Sequence, residues 1–119
     1  MLEPEPVDRT AYAALIESVG SDAAFVAELV NEFAVDSARL LSGMRSAAED
    51  GRSADVARAA HQLKSSSASL GAAFLPELCS ELEAQARTGS TRGMLERVPA
   101  VEAEVSRVTS MLRALGTPP

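Results

Sequence analysis

Apolar residues recur three and four positions apart along most of this chain, which is the spacing that gives a helix one apolar face. The pattern is longest in two stretches, from Phe25 to Ala48 and from Leu95 to Leu115. Glycines interrupt it between the periodic stretches, at Gly20, Gly51, Gly71 and Gly89. The pattern therefore predicts several helices joined by short turns.

Capping residues and breaks give the expected limits of each helix. The first predicted helix is short, is capped by Asp8 and continues through Val19, and the second is long, is capped by Ser21 and reaches Gly51. The third is capped by Ser53 and reaches about Leu70, before Gly71. The fourth begins at about Ala73, has Pro76 in its first turn and ends at Thr88-Gly89. In the last stretch Pro99 either kinks a helix or opens one, with Thr91 to Arg97 forming a separate turn. We favour the second interpretation.

Long amphipathic helices with short connections pack as antiparallel neighbours. We therefore expect an all-α protein, an up-down-up-down four-helix bundle with a short additional N-terminal helix. Residues 8–116 form the bundle, residues 1–7 are expected to be a flexible lead outside the fold, and residues 117–119 a disordered tail. A monomer is expected because the helices can cover one another within one bundle.

Composition narrows the classes of function. The 119 residues carry a net charge of −6, which disfavours a nucleic-acid partner because phosphate recognition needs a basic face. One cysteine, Cys79, offers no internal disulfide and no metal ligand set, so a reducing cytoplasm is expected. No apolar run is long enough to span a bilayer, so no direct membrane contact is expected.

The interior is expected to hold most of the larger apolar side chains. Cys79 is expected to be a small buried residue, and Ser66 and Ser67 close-packing positions. The expected core includes all three phenylalanines, Phe25, Phe33 and Phe74. The acidic residues Glu77, Glu81 and Glu83 are expected to form a solvated helix face.

The only histidine, His61, lies on a helix among unusually small residues. At about 100° per residue, His61 points about 140° away from Val56, which faces the core, so the imidazole should face solvent. Lys64, one turn away, supplies a cation to the same side. Short side chains are expected around the ring, at Ala57, Ser65 and Ala68.

A solvent-facing imidazole is a nucleophile that can carry a phosphoryl group on one nitrogen while the other keeps its proton. An ammonium beside it can stabilise phosphoryl oxygens. The sequence contains no Gly-rich phosphate loop and no magnesium-binding pair for ATP, so the domain is expected to be a carrier without kinase activity. No cofactor or metal is expected in this chain.

The segment Ala60-His61-Gln62-Leu63-Lys64-Ser65-Ser66, followed by Leu70-Gly71-Ala72, Leu75, Cys79 and Leu82-Glu83, resembles histidine-containing phosphotransfer (Hpt) domains. The resemblance implies that His61 is phosphorylated, that Lys64 supports the phosphoryl group and that Gly71 ends the histidine helix. Two positions depart from the family. Ser65 replaces the usual glycine and adds a small side chain at the docking surface, which is expected to narrow or retune the choice of partner. Glu83 stands where some members place a glutamine that bonds the ring or the phosphoryl group.

The resemblance implies partners as well as a site. Receiver domains of hybrid sensor kinases and response regulators would dock over His61, supplying magnesium and the acidic residues. The expected docking surface comprises Ala57, Arg58, Ser65, Ala68 and Glu83. The alternative is a non-phosphorylated helical adaptor that binds and regulates a signalling partner through the same face. A regulatory metal site is disfavoured because His61 lacks nearby ligands at suitable spacing.

Overall fold

In the computed structural model, which describes residues 4–89 and 93–116, the predicted bundle is present. The helices are α1 (Arg9–Ser18), α2 (Ala23–Glu49), α3 (Ser53–Ser69), α4 (Leu75–Arg87) and α5 (Met94–Leu115). Helix α3 packs most extensively against α4 and also against α2, while α5 contacts both α2 and α4. These contacts close a ring of four helices, which confirms the predicted all-α bundle with one short N-terminal helix.

Aspartate side chains begin the first two helices. Asp8 accepts hydrogen bonds from the main-chain N–H groups of Thr10 and Ala11, at 2.9 and 3.2 Å. Asp22 caps α2 in the same way, whereas Ser21, the predicted cap, takes a left-handed φ of 55° in the turn before it. The prediction was wrong by one residue because two capping residue types stand side by side, and the carboxylate of the second reaches the helix N–H groups.

The histidine helix α3 begins without a side-chain cap. Arg52 occupies the N-cap position, and Ser53, the predicted cap, is the first helical residue. The main-chain carbonyl of Arg52 accepts from Asp55 and Val56, at 3.1 and 3.2 Å. The predicted C-terminal limit is confirmed, since α3 ends at Ser69, Leu70 is its C-cap, and Gly71 follows with a φ of 86°.

Helix α5 passes through Pro99 without ending, so the prediction that Pro99 opens the last helix was wrong. A proline inside a helix removes one hydrogen bond and costs about 3 kcal/mol. Met94 and Val98, which precede it, are both fully buried, and their burial offsets that loss. The helix starts after Gly93, whose φ is 86°; Thr91 of the predicted separate turn lies outside the described residues.

Residues 4–7, expected to lie outside the fold, pack against it. Val7 is only 2% exposed and forms an antiparallel bridge with Ala72 in the connection between α3 and α4. The carbonyl of Pro6 accepts a 2.8 Å hydrogen bond from the N–H of Ala73. Main-chain bonds of this kind leave no periodic side-chain pattern, so the sequence held no signal for them.

The core runs the length of the bundle and contains most of the predicted apolar residues. Its wholly buried members include Met44, Val56, Leu63, Leu75, Cys79, Leu82, Val98, Val108 and Leu112. Phe33 is buried as predicted, but Phe25 and Phe74 are 42% and 37% exposed, and Leu95 is 41% exposed. These three stand at or just before the first turn of a helix, where only part of each ring or chain finds a neighbour.

Candidate functional site

His61 lies in the middle of α3 on the side that faces away from the core. Its side chain is 59% exposed, whereas Ala60 and Leu63 on either side of it are fully buried. The helical geometry predicted from the sequence therefore holds at this position. The imidazole is accessible to a partner molecule without any change in the fold.

Small residues border the histidine on one side only. Ser65 and Ala68 are exposed, as predicted. Ala57 is only 5% exposed and lies near Ala86 of α4, so its expected place in an open docking surface was wrong. Helix α4 covers this side of α3, and Ala57 points between the core and the histidine face. Arg58 is exposed and ion-paired with Asp55 one turn earlier.

Glu83 reaches His61 from the neighbouring helix α4. Both carboxylate oxygens lie 3.4 Å from Nδ1 of the imidazole. Glu83 is 8% exposed, so its expected place on a solvated acidic face was wrong, whereas Glu77 and Glu81 are exposed as predicted. The carboxylate is buried between the two helices because its charge has partners there.

The second partner of Glu83 is Arg87, one turn further along α4. Arg87 donates from Nε to Oε2 at 3.1 Å and from Nη2 to the same oxygen. The hydrogen bond from Arg87 holds the pKa of Glu83 below its ordinary value against the opposing effect of burial, and the contact with His61 adds to it. Glu83 is therefore ionised at neutral pH.

An ionised carboxylate only accepts hydrogen bonds, which decides the tautomer of the ring that faces it. Nδ1 of His61 must carry the proton to bond Glu83. In the neutral imidazole the other nitrogen, Nε2, then holds a free lone pair. The arrangement leaves Nε2 available as a nucleophile on the exposed side chain.

Lys64 is the only lysine in the sequence, and arginine supplies every other basic side chain apart from His61. It is partly buried on α3, one turn beyond His61. Within the part of the chain that the structure describes, no acidic side chain pairs with the Lys64 ammonium, whereas Arg58 and Arg87 are both paired. Lys64 is thus the unpaired cation nearest to the histidine along α3.

Cys79 lies beneath this surface, fully buried on α4 as predicted. Burial raises the pKa of its thiol to about 12, against a smaller lowering by Lys64, while Glu83 raises it further. A thiol in this state is unreactive at neutral pH. Ser67, also fully buried, confirms the predicted close packing, and its hydroxyl donates to the Lys64 carbonyl at 3.1 Å.

Two other kinds of feature are absent from residues 4–89 and 93–116. In that part of the chain no three histidine, cysteine or acidic side chains converge as metal ligands would. None of the helices described there combines the length and the apolar character that a membrane crossing requires.

The model of the Hpt domain family matches residues 28–115, which include α3, α4 and all the site residues above. The chain belongs to the Hpt domain family. A solved Hpt structure, the crystal structure of histidine-containing phosphotransfer protein B (HptB) from Pseudomonas aeruginosa PAO1, superimposes with a TM-score of 0.85 at 25% sequence identity. The alignment covers 94% of this chain and 95% of that one. A search of curated proteins finds no match.

Membership in the Hpt family makes the chain a histidine phosphotransfer protein of a phosphorelay, a phosphoryl carrier. Within this Hpt domain, the sequence analysis singled out His61, Lys64 and Glu83 as candidates but did not consider Arg87, which contacts Glu83. A signal for Arg87 was present, because residues four apart on a helix are neighbours and an acid followed by a base at that spacing forms an ion pair. That spacing joins Glu83 to Arg87.

Proposed function

We propose that His61 accepts a phosphoryl group from the phosphoaspartate of one receiver domain and passes it to the aspartate of another. The observation that carries this proposal is the contact of the ionised Glu83 with Nδ1 of His61, which leaves Nε2 free on an exposed ring. Family membership supplies the reaction class. The local geometry supplies a nucleophilic atom for it.

The proposed transfer balances without an added reactant. The lone pair of Nε2 attacks phosphorus in line, the bond from phosphorus to the aspartyl oxygen breaks, and the aspartate leaves as a carboxylate. The ring then carries a positive charge, and its Nδ1–H remains hydrogen-bonded to the Glu83 carboxylate, which favours that protonated nitrogen. Return transfer to a second receiver reverses these steps.

Lys64 is proposed to stabilise the phosphoryl group on His61. A lysine ammonium is a compact charge on a flexible stem and binds phosphoryl oxygens as a point charge. Because Lys64 has no acidic partner among the described residues, binding phosphate there breaks no existing ion pair. The receiver is proposed to supply the magnesium ion and the acidic residues that the reaction needs, so this chain acts as carrier and substrate.

Ser65, Ala68 and Arg58 are proposed to contact the receiver. Ser65 and Ala68 are exposed and short, so a partner surface can approach the ring closely, and Arg58 adds a charged rim. A complex that forms and dissociates at each transfer belongs to the small interface class, below about 1,200 Å² of total buried surface. We further propose that the chain works as a monomer in the cytoplasm, since its four main helices cover one another's apolar faces.

The test is transfer from a phosphorylated receiver domain to the wild-type chain and to His61→Gln. We expect an acid-labile, base-stable label on the wild type and none on the variant, with equal helicity by circular dichroism because His61 is exposed. Labelling of the variant would refute the assignment of His61. Binding without transfer across a broad receiver panel would instead favour the adaptor function.

A further inference from the structure

The Glu83 carboxylate is the one acidic group that touches His61 among the described residues, and it is shared with Arg87. The two contacts differ in strength: the imidazole lies 3.4 Å away, while the guanidinium donates twice to Oε2, from Nε at 3.1 Å and from Nη2. The side chain of Glu83 is 11% exposed and that of Arg87 is 65% exposed. A nearly buried anion is thus held by a cation at the surface.

We propose that Arg87 is a positioning residue for phosphotransfer, which holds the Glu83 carboxylate against Nδ1 of His61 and cancels its negative charge. The inference rests on the proposed role of His61 as phosphoryl acceptor. With Arg87 bound to it, Glu83 acts on the imidazole as a neutral hydrogen-bond acceptor would. It directs the proton to Nδ1 without drawing a second proton onto Nε2.

The need for Arg87 follows from the cost of a buried charge. A carboxylate left unpaired between two helices must find another cation or take up a proton. Without Arg87, the cation within reach is a doubly protonated His61, and a ring in that state has no lone pair on Nε2. The two other charged residues near His61 on α3, Arg58 and Lys64, are cations, and no ion pair in the described part of the chain joins either one to Glu83. Arg87 is therefore the cation that the fold places on this carboxylate.

The experiment is a double-mutant cycle on the transfer rate from a phosphorylated receiver, using the full chain with Arg87→Ala, Glu83→Gln and both changes together. Rates are measured at saturating receiver and also as a function of receiver concentration. We expect Arg87→Ala alone to slow transfer about tenfold at saturation, comparable with the loss when an outer hydrogen-bond partner of a metal-ligating histidine is removed. In the Glu83→Gln background, the same change should alter the rate less than about twofold, because no charge remains to be cancelled.

Two further variants separate this role from general damage to α4. Arg87→Lys keeps a cation beside Glu83 and should recover most of the rate. Arg97→Ala removes another arginine bound to α4, through Glu81 and Gln85, and should transfer at the wild-type rate. Nitrogen-15 spectra of the imidazole should show the proton on Nδ1 in the wild type and a doubly protonated ring in Arg87→Ala at the same pH.

Three results would overturn the proposal. A wild-type rate for Arg87→Ala means that Glu83 needs no neutralising partner. If Arg87→Ala slows transfer equally in the wild-type and Glu83→Gln backgrounds, Arg87 contacts the phosphoryl group or the receiver directly. The same conclusion follows if Arg87→Ala raises the receiver concentration at half-saturation and leaves the maximal rate unchanged. Absence of any label on the wild-type chain would refute the proposed function itself, and with it this inference.

Discussion

The main-chain N–H of Asp8 donates a 2.8 Å hydrogen bond to the carbonyl of Gly71. Asp8 caps α1, and Gly71 is the left-handed residue that follows the histidine helix. The bond fastens the start of the fold to the end of α3. A Cβ atom at Gly71 would lie 3.2 Å from the main-chain N of Tyr12 and 3.3 Å from the main-chain O of Asp8, so the position is constrained by space as well as by φ.

We therefore expect Gly71→Ala to destabilise the protein by about 2 kcal/mol, from the left-handed conformation together with the close contacts. Gly43→Ala is the matched control. Gly43 lies inside α2 with nothing within 4 Å of an added Cβ, and alanine there should stabilise the protein by up to about 1 kcal/mol. Urea unfolding of the two variants measures both changes; an equal effect of the two would refute the constraint at Gly71.

Lys64→Ala should slow transfer to His61 or shorten the lifetime of the phosphohistidine by about tenfold or more. The loss corresponds to one hydrogen bond to a charged group, about 1.5 kcal/mol. Arg9→Ala is a control with the same change in net charge: Arg9 is the first residue of α1 and forms an exposed ion pair with Glu5, which precedes the helix. Stopped-flow mixing measures the transfer rate, and decay of the labelled protein measures the lifetime of the phosphohistidine. If both equal the wild-type values, Lys64 has no part in the mechanism.

Much of the fold could be predicted because burial follows helical periodicity. The apolar positions of α2 and α5 predicted two long helices, and Gly20 and Gly51 marked the limits of α2. Pro99 was misjudged because its cost is local, whereas the burial of Met94 and Val98 that offsets it depends on tertiary packing. Residues 4–7 were misjudged for a related reason, since main-chain bonds to Ala73 carry no side-chain pattern.

The sequence could predict which side of the histidine helix faces solvent, but not which residues the neighbouring helix places beside it. Periodicity placed His61 in solvent, and the structure agrees. Ala57 was expected on the same open side, but it is buried, because which side of α3 is covered by α4 depends on how the two helices pack. Glu83 was assigned to solvent because acidic residues are rarely buried. Its burial depends on contacts with His61 and Arg87, which come from two different helices.

Glu83 should make stability depend on pH in the acid range. Its pKa in the folded protein is lowered, chiefly by Arg87, so the charged form stabilises the fold. That contribution is fully present above the unfolded carboxyl pKa of about 4.3 and is lost as pH falls through the lower folded value. The stability difference between wild type and Glu83→Gln should therefore shrink between neutral pH and about pH 3.

Thermal unfolding of the two proteins at a series of pH values measures this difference. Glu28→Gln, at an exposed position on α2, also removes one carboxylate, leaves the His61–Glu83–Arg87 contacts in place and should change stability little at any pH. A wild-type advantage that persists unchanged at the acid end would show that Glu83 does not stabilise the fold through its charge.

A bulky side chain at Ala68 should block receiver docking while leaving the bundle stable. Ala68 is exposed on α3, two turns beyond His61, so Ala68→Trp adds volume above the surface and displaces no core atom. Ala103→Trp is the control. Ala103 is also exposed but lies on α5, which packs against α2 and α4, and not on the histidine helix. We expect a loss of transfer for the first variant alone, with both melting temperatures within a few degrees of wild type. Normal transfer to Ala68→Trp would place the docking surface elsewhere on the molecule.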